Sequence, residues 1–149
     1  MSHSIRTEVV IEANPEAVWA VLTDFASHAE WDPFLVAVEG KPTLGSRLAV
    51  RFHNGTTFRP TVTEASEGRA LEWLGKLFLS GLFDGRHRFE LIPEQDRTRL
   101  IHSERFSGLL VPLLKRMLSD AERGFRAFNT ALKQRVERPT RRPAERRAE

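Results

Sequence analysis

Apolar positions follow two different periods along this chain, and the order of those periods predicts its architecture. A strand is expected over 5–12, followed at once by a helix start. Asn14 can cap that start, because its side-chain oxygen takes a free backbone N–H of the first turn. Pro15 follows at the first helical position, where its missing N–H costs nothing. Val18, Trp19, Leu22 and Phe25 then recur at helical spacing, which predicts a helix over 15–25 with one apolar face. A short helical turn near 26–30 leads into a loop ending Trp31-Asp32-Pro33-Phe34.

The period then changes to two. In 47–53, Leu48, Val50 and Phe52 alternate with Arg47, Ala49, Arg51 and His53, the pattern of a strand with one buried face. Asn54-Gly55 is a strong hairpin signal. Glu67-Gly68 and Pro93-Glu94-Gln95-Asp96 punctuate later hairpins. Strands are predicted over 35–40, 46–53, 57–66, 70–78, 83–92 and 98–106. All the connections are short, which favours an antiparallel meander over parallel crossovers.

The helical period returns at the C-terminal end. Leu114, Leu118, Ala121, Phe125, Phe128 and Leu132 form an apolar stripe, with charged residues such as Lys115, Arg116, Glu122 and Arg126 opposite. Glu122 and Arg126 make a favourable i,i+4 pair. Gly124 interrupts this helix beside the stripe, at a cost of about 1 kcal/mol relative to Ala. One flank (Gly124, Ala127, Ala131) is therefore small. That flank reads either as the close crossing of a strand or as room for a ligand. The sum is an α+β domain in which a long helix lies over a curved antiparallel sheet, a shape that leaves a cavity.

Composition narrows the function classes. The 149 residues suit one domain with a real core, expected over 1–137. Beyond it, 138–149 has two Pro and almost no apolar residue, so a disordered Arg-rich tail is expected there. The net charge is +3, of which the segment from Glu137 onward carries +2. The folded part is thus nearly neutral, and the basic face of a nucleic-acid binder is not indicated. The chain has no cysteine, which removes disulfides, thiolate metal sites and Cys nucleophiles. No secretory signal pattern opens the chain, and no apolar run approaches the roughly 20 residues of a membrane span. A cytoplasmic protein without stable membrane insertion is expected, as a monomer or homodimer. His3, His28, His53, His87 and His102 show no metal-ligand spacing. G-x-S-x-G, the P-loop and G-x-G-x-x-G are also absent, so no metal and no cofactor are expected.

The best polar constellation falls on the last two strands. His87, Phe89 and Leu91 share one face, as do Leu100, His102, Glu104 and Phe106. If both apolar faces point inward, odd positions must pair with even ones, and His87 stands opposite His102 or Glu104. A His–carboxylate pair lining an apolar cavity can act as general acid or base, can hydrogen-bond a ligand oxygen, or can be structural. With no nucleophile or metal, a structural or ligand-orienting role is the reading preferred to catalysis. Trp19, Trp31 and Trp73 suit the core, although Trp31 and Phe34 sit on a loop and can gate a pocket. Arg51, Arg59 and Arg86 read as a solvated outer face. Candidate cavity residues are Trp31, Phe34, Trp73, His87, Phe89, His102, Glu104, Met117, Gly124 and Phe128.

Several segments, in this order, resemble the START-like helix-grip superfamily. They are Asn14-Pro15-Glu16-Ala17-Val18-Trp19, Trp31-Asp32-Pro33-Phe34 and Leu71-Glu72-Trp73-Leu74-Gly75. Gly85-Arg86-His87-Arg88-Phe89-Glu90-Leu91, Glu104-Arg105-Phe106-Ser107-Gly108 and Phe128-Asn129-Thr130-Ala131-Leu132-Lys133 follow. The likeness covers nearly all of 5–137. It is strongest to the single-domain SRPBCC proteins commonly labelled polyketide cyclase/dehydratase. The resemblance implies a curved sheet of about six to seven strands wrapped around the long C-terminal helix, with two short N-terminal helices. It implies binding of a small, largely apolar ligand (a lipid, polyketide or aromatic metabolite) between sheet and helix. A polyketide cyclase/dehydratase-like enzyme using a His/Glu acid–base pair, or a co-chaperone-like interaction domain, are the alternatives it leaves. Fold alone does not choose among them.

Overall fold

The computed structural model describes residues 2–77, 79 and 81–138; the segment 139–149, most of the expected tail, lies outside them. Strand β1 (Ser2–Ile11) leads into helix α1 (Pro15–Thr23), a 3-10 turn (Phe25–Ser27) and the short helix α2 (His28–Trp31). Strands β2 (Leu35–Glu39), β3 (Ala49–Phe52), β4 (Thr57–Phe58), β5 (Thr61–Ser66), β6 (Ala70–Leu77), β7 (Phe83–Glu94) and β8 (Arg97–Ser107) follow. A second 3-10 turn (Val111–Leu114) opens the long helix α3 (Lys115–Glu137). Asn14 caps α1 as its side chain predicts, accepting the Ala17 N–H at 2.8 Å.

The structure divides the strands into two antiparallel sheets, where the sequence suggests one. Five strands run in the order β1-β8-β7-β6-β5, and three in the order β2-β3-β4. The expected strand 57–66 breaks into β4 and β5 at Arg59-Pro60 because Pro60 has no N–H for the ladder. The sheets stay in touch there. The Leu48 N–H donates to the Pro60 carbonyl and the Val62 N–H to the Ser46 carbonyl, each at 2.8 Å.

Register decides what the long sheet offers α3. Glu104 pairs with Ile5 and His87, His102 with Thr7 and Phe89, and Leu100 with Val9 and Leu91. Trp73 pairs with His87 and Leu71 with Phe89. The inward face therefore has three bands. A large apolar cluster contains Ile11, Leu71, Leu91, Leu100, Phe128 and Leu132. A smaller one contains Ile5, Phe83, Phe106, Val111 and Leu118. Between them, on three neighbouring strands, lie Thr7, His102, Glu104 and His87. The outward face is charged, with Arg86 on Glu72 at 2.7 Å and Arg88 on Glu64 at 3.1 Å. Such partly exposed pairs add at most about 1 kcal/mol each; burial in the two clusters dominates.

Leu100 is wholly buried at the centre of the large cluster. Leu100→Ala removes its packing and leaves a void, a loss of about 2–5 kcal/mol, to be read as a lowered urea midpoint. A change below 0.5 kcal/mol would show that the cluster collapses freely around the site.

Candidate functional site

The polar band is a continuous chain of five side chains. The β7–β8 hairpin sets His87 directly across from Glu104, and His87 Nδ1 lies 3.0 Å from Glu104 Oε2. His87 Nε2 lies 2.7 Å from His102 Nε2. His102 Nδ1 lies 2.8 Å from Asn129 Oδ1, contributed by α3. Asn129 Nδ2 donates to Thr7 Oγ1 at 2.8 Å, and the Thr7 hydroxyl donates to the His102 carbonyl at 3.0 Å. The chain runs inward from the half-buried pair to wholly buried residues.

Aromatic rings enclose it. Phe125 stacks on one face of His102 with centroids 4.2 Å apart, and Phe89 stacks with it at 4.5 Å. Trp73 lies parallel to His87 at 5.0 Å. Burial, and next the neighbouring His87, hold His102 well below the usual imidazole range; Asn129 and the Phe125 carbonyl offset this only in part. An imidazole in such a place stays neutral, because desolvation penalises the charged form.

The sequence candidates thus separate. His87, Glu104 and Trp73 stand together, half-buried, at the outer end of the chain. His102 is 2% exposed with both ring nitrogens engaged by protein, so it supports the pair and offers no free edge to a ligand. Phe89 and Phe128 are core residues. Met117 is exposed on the first turn of α3.

The space over Gly124 is taken neither by a strand nor by a gap. A Cβ added at Gly124 would meet the Phe34 ring at 3.3 Å. Phe34 is carried there by a loop that Asp32 organises: Asp32 Oδ1 accepts the Phe34 and Leu35 N–H groups at 2.9 and 3.1 Å. Trp31 belongs to α2 and packs on Phe128 at 5.3 Å, its buried indole nitrogen without a hydrogen-bond partner among the described residues. Of the expected outward arginines, Arg51, Arg59 and Arg86 are exposed.

Bare backbone borders the His87–Glu104 pair. Gly75 and Gly85 face each other across β6 and β7. A Cβ at Gly85 would fall 2.6 Å from Glu104 Oε1, so glycine here makes room for the carboxylate. A Cβ at Gly75 would meet nothing closer than Pro60 Cβ at 3.8 Å. An open cleft of about 310 Å³ lies elsewhere, around Leu74, Asp84, Arg86, Arg105 and Ser107 on the outward face. Among the described residues no group of three or more His, Asp or Glu side chains could hold a metal ion, and no helix is long and apolar enough to cross a membrane.

Asn129 and Thr7 are absent from the sequence candidates. Both had a signal. Asn129 sits on the apolar stripe of α3, four residues after Phe125 and three before Leu132. Thr7 occupies an inward position of β1 between Ile5 and Val9. A polar side chain on an apolar stripe must find a partner when buried.

The neutral state of His102 predicts the acid behaviour of the fold. The unfolded chain takes up a proton there below about pH 6.5, and the folded chain does not. Stability is therefore full above that pH and falls as the pH drops through it. Between pH 7.5 and 5.5 this residue should cost about 1.4 kcal/mol, a loss absent from His102→Gln. The lowered carboxyls of Glu8, Glu72 and Glu137 act only below their usual 4.5. Equal pH dependence in both proteins, measured by urea unfolding, would show that residue 102 charges in the folded state.

Comparison with known proteins agrees with this architecture. Residues 2–137 match the family model for polyketide cyclase / dehydrase and lipid transport. No curated protein matches significantly. Among solved structures, a Mesorhizobium loti protein superposes with a TM-score of 0.77 at 24% identity, over 93% of this chain and 100% of its own. The Zhui aromatase/cyclase from Streptomyces gives 0.72 at 21% identity, over 95% and 97%. A norcoclaurine synthase point mutant of Thalictrum, solved with a transition-state analogue, gives 0.71 at 14% identity, over 91% and 94%. At these identities the likeness shows a shared fold.

Proposed function

The chain belongs to the polyketide cyclase/dehydrase and lipid transport family, and from that premise we propose that it binds a small, largely apolar molecule carrying a polar oxygen. The ligand lies between the five-stranded sheet and α3, and the His87–Glu104 pair takes the oxygen. The observation that carries this reading is the pair itself: a carboxylate and an imidazole 3.0 Å apart, half-buried beside Trp73 and bare glycine backbone. Apolar contact supplies affinity at roughly 25 cal/mol per Å² buried. The pair supplies selection, because a half-buried polar group left unmatched by the ligand costs about 1–3 kcal/mol. Phe34, exposed and packed on Gly124, is the ring placed to move as the ligand enters.

Paired probes test this. The protein should bind 2-naphthol about tenfold more tightly than naphthalene, the equivalent of about 1.4 kcal/mol, and Glu104→Leu should abolish that preference. Equal binding of both probes by the unaltered protein would remove the pair from the ligand site. Gly85→Ala offers a second reading of the same contact. Its new Cβ must push the Glu104 carboxylate aside, so the naphthol preference should drop while the melting temperature holds. A preference that survives in a folded Gly85→Ala protein would place the ligand oxygen away from Glu104.

An enzymatic reading is favoured by the same distance. A His–carboxylate pair within hydrogen-bond reach can move a proton to or from a bound carbonyl compound, as a cyclase or dehydratase requires. Under that reading His87→Phe abolishes turnover and leaves binding in place.

A further inference from the structure

We propose that Thr7 and Asn129 are positioning residues that fix the tautomer of His102 and so confine one shared proton to the His87–Glu104 pair. The direction of every hydrogen bond in the band follows from its innermost member. The acceptor of the Thr7 hydroxyl is the His102 backbone carbonyl, which can only accept. Thr7 therefore donates its one proton there, and its oxygen is free to accept from Asn129. The Asn129 amide must then turn its NH₂ to Thr7 and its oxygen to His102. That oxygen requires a proton on His102 Nδ1. A neutral His102 has a bare Nε2, so the 2.7 Å contact needs a proton on His87 Nε2.

His87 Nδ1 and Glu104 Oε2, 3.0 Å apart, are left with one proton between them. Either His87 is the imidazolium and Glu104 the carboxylate, or His87 is neutral and Glu104 is the acid. In both states each of these contacts sets one donor against one acceptor. The alternative that places the charge on His102 puts it between Phe89 and Phe125, shut off from water. The inner three residues cannot act as a proton wire, because their donors all point toward a carbonyl that has nothing to pass on. Their part is to hold the pair in a state that can accept or give one proton at the rim.

This deepens the ligand-site reading, which supplies the use of the proton, but its test needs no ligand. Protein labelled with ¹⁵N at histidine reports, through long-range ¹H–¹⁵N couplings, which ring nitrogen carries hydrogen. At pH 7.5 His102 should show a protonated Nδ1 and a bare Nε2, and His87 a protonated Nε2. Thr7→Val keeps the side-chain shape and removes the hydroxyl, so the Asn129 amide is free to turn and His102 should become a mixture of both tautomers. Thr7→Ser restores the hydroxyl and should restore the single form. A His102 protonated at Nε2 or at both nitrogens in the unaltered protein would overturn the proposal. So would a Thr7→Val protein whose tautomer is unchanged. The measurement on the unaltered protein decides even where Thr7→Val does not fold. Failure of the naphthol test with the expected tautomers intact would leave this inference standing and remove only the ligand reading.

Discussion

A hydroxyl with one proton, facing a carbonyl that can only accept, is the constraint on which the polar centre of this molecule depends. Thr7 and the backbone of His102 meet because β1 and β8 pair in register. From that single contact the orientation of Asn129, the tautomer of His102 and the donor on His87 all follow. Buried polar chains of this kind stabilise only when every member is satisfied, since the low local dielectric makes each unmatched group costly. The same chain ties α3 to the sheet through Asn129, in a way that apolar packing alone would not specify. Lys133 repeats the tie further along the helix, donating to the Val10 carbonyl at 2.8 Å.

The position of the band gives it a second consequence. It separates a large apolar cluster from a small one, and its outer end reaches partly exposed surface beside Trp73, Gly75 and Gly85. A fold whose centre were wholly apolar would bind greasy molecules without distinguishing them. Here the inner end, at His102 and Asn129, is closed off from solvent, and the outer end carries His87 and Glu104. The shared scaffold sets sheet, helix and the space between them, and the few polar side chains placed there set what the space can do.

Phe34 illustrates how small residues and loops cooperate. Gly124 leaves a gap on α3, and the loop carrying Phe34 fills it with an aromatic ring. The loop is held from below by Asp32, whose second oxygen faces His28 Nδ1 at 3.3 Å, while His28 Nε2 donates to the Leu22 carbonyl at 2.8 Å. The ring itself stays exposed.

The sequence by itself determined the element order, because apolar period and turn chemistry are local properties. The capped helix α1, the hairpins at Asn54-Gly55 and Glu67-Gly68, and the stripe of α3 were all legible in this way. It also determined that His87 faces an even position of the next strand, because two inward apolar faces allow no other parity. Tertiary structure decided that the partner is Glu104 and that His102 lies one step inward. A register is a long-range choice, and a shift of two residues preserves every local pattern. It also decided the split into two sheets, where Pro60 withholds a ladder donor, and the filling of the Gly124 flank by Phe34, ninety residues away in the chain. Asn129 and Thr7 stood in plain view as polar residues on apolar faces. Their partnership, across 122 residues of sequence, is a fact of packing that no local pattern contains.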